Sequence, residues 1–286
     1  MTTLGLPAAP RRAPRPRRPG RLILLGLLAL LLLAAAAAAA PWLAPWDPEE
    51  MDVIGVMGPP SAAHPFGSDV MGRDVLSRVL FALRASLLVS TSAVLLSLLV
   101  AIPLGLVAGY FGRWVDGAIS RALDMILVLP AMLLAITFIA ILGPGSTVAA
   151  LAIAVIYLPI LARVMRTGAL VVTRNDYVLG ARARGASHLR VLLTHVLPNA
   201  LGPVIVQASI LAAFALQLEA GLSFLGLGVQ PPTPSLGSML ADGRDVLTQA
   251  PWVEIFPGLA IVAAVLAFTV LGEGLRQAFD PEGVAE

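Results

Sequence analysis

Hydrophobic positions in this chain come in unbroken runs, at residues 22–43, 85–111, 125–162, about 200–225 and 255–272. Crossing a hydrocarbon core of about 30 Å takes about 20 residues of helix, because each adds about 1.5 Å. The run 125–162 is too long for one crossing. It carries Leu142-Gly143-Pro144-Gly145-Ser146-Thr147, which is turn chemistry, near its middle and therefore divides in two. The pattern predicts an all-α membrane protein with six transmembrane helices.

The polar stretches between the runs set the domain plan. Residues 1–21 form a basic tail, 22–43 the first span, 44–84 a segment on the outer side, 85–275 a five-helix core, and 276–286 a second tail. Within the core, 163–200 is the large basic loop and 228–255 an outer loop. In the outer segment, Val75, Val79, Leu80 and Leu83 recur at helical spacing, with Arg78 and Arg84 turned elsewhere, which predicts a helix lying in the membrane interface. A further short helix is expected at 238–247. Pro103, Pro130 and Pro159 fall inside spans, where each either kinks a packed helix or serves as a hinge.

Charge orients the bundle. Fifteen arginines fall in the two tails, the loop at 113–121 and the stretch 163–200, against four (Arg73, Arg78, Arg84 and Arg244) on the other side. By the positive-inside rule the N and C termini are cytoplasmic. The tail RRAPRPRRPGR reads as a disordered segment held at anionic lipid headgroups, with membrane lipid and no nucleic acid as its partner. Its apolar continuation is longer than a signal-peptide core and five further spans follow, which speaks against cleavage.

Composition agrees and excludes several chemistries. With 58% apolar and 13% charged residues, and a mean hydropathy of +0.89, the chain lies outside the range of soluble domains. It has no cysteine, hence no disulfide or thiolate site. All 19 basic residues are arginine, so no Walker A lysine exists and the chain is no ordinary P-loop ATPase. His64, His188 and His195 are scattered and read as surface or capping residues, not metal ligands, and no hydrolase motif is present. Asp124 stands one helical turn after Arg121, as for an i, i+3 pair. Glu219, at the outer part of the fifth span, reads either as a structural anchor or as a lining of the translocation path.

The stretch DYVLGARARGASHLRVLLTHVLPNA at 176–200 interrupts the apolar pattern. Residues 176–183 predict a short helix, with a break at Gly185 and a second helix beginning at the N-cap Ser187. Leu189, Leu192, Leu193 and Val196 form an i, i+3, i+4, i+7 stripe, with His188, Arg190, Thr194 and His195 turned away, and Pro198 ends or kinks the helix. Periodicity leaves two readings: an amphipathic segment on lipid, or a helix–turn–helix knob whose small tip (Ala181, Gly185, Ala186, Ser187) docks in a groove of another protein.

This stretch resembles the cytoplasmic loop of permease subunits in binding-protein-dependent ABC importers. Their pattern of Glu-Ala-Ala, three residues, Gly and then an apolar-Leu-Pro is matched by Ala181, Gly185 and Val196-Leu197-Pro198, with Leu179 and Gly180 replacing the Glu and first Ala. HPFGSDVMGRDVLSR (64–78), IPLGLVAGYFGRWVD (102–116), EAGLSFLGLGVQPPTP (219–234), GSMLADGRD (237–245) and APWVEIFPGLAI (250–261) resemble the peptide/nickel group of these importers, its second permease subunit in particular. The resemblance implies the type I ABC importer permease fold in a bacterial cytoplasmic (inner) membrane. It also implies a coupling element carried by Ala181, Gly185, Ala186, Ser187, Leu189 and Pro198. The implied partners are a second, homologous permease forming a heterodimer, two ATPase subunits that bind ATP and Mg, and an extracytoplasmic binding protein facing the outer loops. No cofactor or metal is expected in this chain, and the permease itself is expected to be non-catalytic. Peptides are the favoured substrate, with nickel chelates, glutathione or sugars as alternatives. A stand-alone secondary transporter is the rival from another class, but it predicts inverted repeats and an ion relay that the sequence lacks.

Overall fold

The computed structural model describes residues 19–52 and 55–279. The two tails expected at 1–21 and 276–286 therefore lie outside the described residues over 1–18 and 280–286. In chain order the helices are α1 (Pro19–Ala38), α2 (Ala40–Leu43), α3 (Val75–Phe111), α4 (Arg113–Leu127), α5 (Ala131–Leu142), α6 (Ser146–Thr173), α7 (Asp176–Ala183) and α8 (His188–Val191). A π-helical turn (Leu192–Val196) joins α8 to α9 (Leu197–Phe224), and α10 (Leu236–Arg244) and α11 (Trp252–Phe279) complete the fold. Helix throughout the apolar runs is the outcome lipid demands, since a helix satisfies its own backbone groups where no water can.

Five of these helices, counting α8 to α9 as one, are long and apolar enough to cross a membrane among the described residues. Counted as one broken span, α4 and α5, bent by 86° at their junction, make a sixth. Pro130 occupies that junction as the residue before α5, so it breaks the third span instead of lying within a continuous one. Its missing N–H and fixed φ favour a helix start. Pro103 and Pro159 do lie inside α3 and α6.

The separate interfacial helix expected before residue 85 is absent as a distinct element. Instead α3 runs unbroken through 37 residues, about 55 Å at helical rise. Asp74 caps its start by accepting from Ser77 N at 2.7 Å, and Gly112, at φ +60°, ends it. Arg78 does not face water: it is only 4% exposed, donates from Nη1 to Pro48 O at 3.1 Å, and sets Nε 3.4 Å from Asp69 Oδ2. The outer segment folds over the first turns of α3 and brings these partners with it, something spacing along α3 cannot foretell. Trp252 Nε1 donates to Ser68 O at 3.0 Å, and Phe66 stacks on Phe256, fastening the same segment to α11.

The core is made by close helix crossings. Gly105 and Gly109 of α3 press on α6: a Cβ added at Gly105 would stand 2.4 Å from Ala162 O, and one at Gly109 2.5 Å from Arg166 O. Two glycines four residues apart let helix backbones approach where lipid offers no hydrophobic drive to pack. Gly26 of α1 and Gly274 of α11 meet the opposite backbone in the same way, at Leu271 and Ile23. Gly202 in the first turns of α9 meets Phe279 at the end of α11. These crossings gather the start of α1, the end of α11 and the α7–α8 segment at one end of the bundle, and the outer segment with α10 at the other.

Asp124 is not paired with Arg121. Its Oδ1 accepts from Arg163 Nη2 of α6 at 2.5 Å. The long-range partner wins because α4 lies against α6.

Candidate functional site: the α7–α8 hairpin

The loop expected at 163–200 is helical for much of its length, since α6 extends to Thr173 before the chain turns at 174–175. The hairpin proper then follows from local chemistry. Gly185 N donates to Arg182 O at 2.9 Å and Ala186 N to Ala181 O at 3.2 Å, which closes α7 with paired 5→2 and 6→1 bonds. That closure needs a left-handed residue, and Gly185 sits at φ +83° with nothing within 4 Å of where its Cβ would be. Ser187 follows in extended conformation and caps α8, its Oγ accepting from Arg190 N at 3.4 Å. The tip thus consists of Gly185, Ala186 and Ser187, with Ala181 buried beneath it.

The apolar stripe does not come out as its spacing predicts. Leu192 and Val196 are buried, but Leu189 is 67% exposed and Leu193 half exposed, and Val191 takes the inward place. The π-helical turn causes the shift, because each of its residues advances less around the axis than an α-residue does. Leu197 N donates to Leu192 O, five residues back. The extra residue falls just before Pro198, which has no N–H to give to Thr194 O and whose ring would crowd that carbonyl in a regular helix. Pro198 therefore neither ends the helix nor stands at its end; it sits in the first turn of α9. Asn199 Nδ2 donates to His195 O at 2.7 Å, adding a side-chain bond to the distorted turn.

The exposed surface of the hairpin combines Leu179 and Leu189 with Arg182, Arg184 and Arg190. Leu179 and Gly180 supply no carboxylate here. An apolar rim with guanidinium groups around a small tip can seat in a cleft and meet anionic groups at its edge. His188 is not turned away. Its Nδ1 lies 2.8 Å from Tyr110 Oη in the last turn of α3, and its ring packs against those of Tyr110 and Phe111. Tyr110 lies within the motif at 102–116, yet nothing in its spacing marked it.

Glu219 lies far from the hairpin and is completely buried in this chain. Its Oε1 accepts from Ser223 Oγ at 2.7 Å, and that hydroxyl in turn accepts from Val229 N at 3.2 Å. The carboxyl thus ties α9 to the turn that follows it. Among the described residues no group of three or more His, Asp or Glu is placed to hold a metal ion.

Comparison with known proteins places this geometry. Residues 101–282 match the family described as "Binding-protein-dependent transport system inner membrane component". The chain is 40% identical over 272 residues to the dipeptide transport system permease protein DppC of Alkalihalophilus pseudofirmus, covering 95% of this chain and 90% of the relative. It is 44% identical over 263 residues to the di/tripeptide transport system permease protein DppC of Pseudomonas aeruginosa, covering 90% and 87%. Among solved structures, a chain of the MetNI methionine ABC transporter in an inward-facing conformation superimposes with a TM-score of 0.58 at 18% identity, covering 72% of this chain and 96% of that one. At that identity the likeness speaks for fold alone.

Proposed function

Because this chain belongs to the binding-protein-dependent transport system inner membrane component family, and so is an inner-membrane permease subunit of an ABC importer, we propose that it forms half of a pathway for short peptides. The other half is a second, homologous permease. The curated relatives named above carry dipeptides or di- and tripeptides by their names, and this supports the peptide reading over nickel chelates or sugars. Their permease character supports a non-catalytic role, with ATP and Mg bound by two separate ATPase subunits. A binding protein delivers the substrate at the end of the bundle carrying 44–84, α10 and 228–255. The hairpin end, with both chain termini, faces the cytoplasm.

The observation that carries the mechanism is the α7–α8 hairpin, closed at Gly185 with open space around its tip and Leu189 exposed on its flank. Docked in an ATPase cleft, Ala181, Gly185, Ala186, Ser187 and Leu189 transmit the closing of the ATPase pair to α6 and, through Pro198, to α9. No bond is made or broken in this chain. Glu219 acts as an anchor in this conformation, and it lines the pathway only if the joint between α9 and its following turn opens.

The test is Gly185→Trp in the reconstituted complex, with Gly185→Ala as control. Both carry the same left-handed strain, on the order of 1–2 kcal/mol, but only Trp adds bulk at the tip. Trp is expected to release the ATPase subunits or abolish stimulation of hydrolysis by loaded binding protein, while Ala retains both. Unchanged stimulation and di- or tripeptide uptake in the Trp variant refutes the docking role.

A further inference from the structure

The inner end of α3 meets the hairpin at Tyr110 and Phe111, and Tyr110 makes the polar contact. Tyr110 is almost fully buried in the last turn of α3, next to Gly109, whose contact with Arg166 and Ala169 seals α3 to α6. Its hydroxyl lies 2.8 Å from His188 Nδ1 of α8. The guanidinium of Arg182, on α7, lies 5.8 Å over the centre of its ring. The two hairpin helices are separated by the Gly185 turn, and they converge again on this one phenol, α7 through a cation–π contact and α8 through a hydrogen bond. At the far end of the same unbroken helix, Asp74 caps α3 while its Oδ1 lies 3.0 Å from His64 Nδ1, and Trp46 stacks on that imidazole. One rod about 55 Å long therefore joins the hairpin to the outer segment.

We propose that Tyr110 is a positioning residue for coupling: it holds α7 and α8 in fixed relation to α3, so that movement of the hairpin is delivered to α3 and along it to the outer segment. The physical ground is directional stiffness. The hydrogen bond to His188 fixes both distance and angle, and the contact of Arg182 over the Tyr110 ring fixes a second point. The covalent route through α6 and α9 reaches α3 only by helix packing, at glycines such as Gly105 and Gly109; Tyr110 ties α3 to the hairpin directly. This inference rests on the docking role assigned to the hairpin.

The experiment uses the assembled importer, two permeases, two ATPases and binding protein, reconstituted in lipid nanodiscs. It reads the ratio of hydrolysis with and without peptide-loaded binding protein. Tyr110→Phe keeps the ring and deletes the hydroxyl; His188→Ala deletes the partner; His188→Gln restores a hydrogen-bonding group. Tyr110→Phe and His188→Ala are each expected to lower the stimulation ratio at least threefold with the complex still assembled. The double variant should be no worse than either single one, and His188→Gln should recover most of the ratio. Stimulation within twofold of the parent in both single variants, while Gly185→Trp uncouples, overturns the role of Tyr110 and leaves hairpin docking intact. If Gly185→Trp also fails to uncouple, docking falls and this inference with it. Loss of assembly in Tyr110→Phe or His188→Ala assigns the pair to folding and likewise overturns it.

Discussion

Arg166 of α6 grips Asp116 of α4 with two parallel bonds, Nε to Oδ1 and Nη2 to Oδ2, the second at 2.5 Å. Ser120 Oγ adds a third donor to the same carboxylate at 3.1 Å. The fork-to-fork geometry fixes the roll of α4 as well as its distance from α6. That matters because α4 buries little of its own surface, Leu123 apart.

Removing either partner should therefore loosen α4. Asp116→Ala or Arg166→Ala is expected to cost about 1–3 kcal/mol, between the values for exposed and buried pairs, because both side chains keep some solvent contact. Arg166→Lys should recover little, since an ammonium cannot donate in a planar fork. Thermal unfolding of the purified permease in detergent gives the measurement, and a double variant costing no more than the singles confirms one shared interaction.

Glycines at α3 and α4 should respond in opposite directions. Gly105→Ala and Gly109→Ala each drive a Cβ against a carbonyl of α6 and should destabilise by about 1–3 kcal/mol despite better helix propensity. Gly117→Ala has nothing within 4 Å and should be neutral or stabilise by about 0.5–1 kcal/mol. Melting temperatures of the three variants under one detergent condition decide it.

Glu219 distinguishes anchor from pathway. Glu219→Gln keeps an acceptor for Ser223 Oγ and should leave folding and peptide uptake close to the parent. Ser223→Ala removes both of that hydroxyl's bonds and should cost about 1–3 kcal/mol. A Glu219→Gln protein that folds normally but no longer transports means that the charge itself is used along the path.

At the outer end, Asp242 should make stability depend on pH. Partial burial raises its carboxyl from the ordinary aspartate value, and Asp69 adds to the effect, against the opposing pull of Arg73 and Arg78. A carboxyl raised in the folded state binds a proton more tightly there than in the unfolded chain. Its favourable contribution is complete below the ordinary value of about 4 and disappears as pH rises through the folded-state value. Parent and Asp242→Asn should therefore melt alike in acid, with the Asn variant gaining relative stability toward neutral pH. A constant difference across pH 4–7 contradicts this.

Much of the architecture is already written in the residue order. Run length alone requires membrane helices, because no other structure satisfies a backbone in lipid over such a distance. The turn at Gly185 and the cap at Ser187 could also be read directly, since both depend on bonds between residues a few positions apart. Which face of each helix turns inward was decided elsewhere. Arg78 looks like a surface residue until Asp69 and Pro48 fold over it, Asp124 prefers an arginine 39 positions away to one three positions away, and a single π-helical turn before Pro198 exchanges Leu189 for Val191. In an apolar run every face is equally fit for lipid, so periodicity carries no inward signal. Only contact with another helix, at glycines such as Gly105 and Gly109 or at a polar group such as Tyr110, selects the side that is buried.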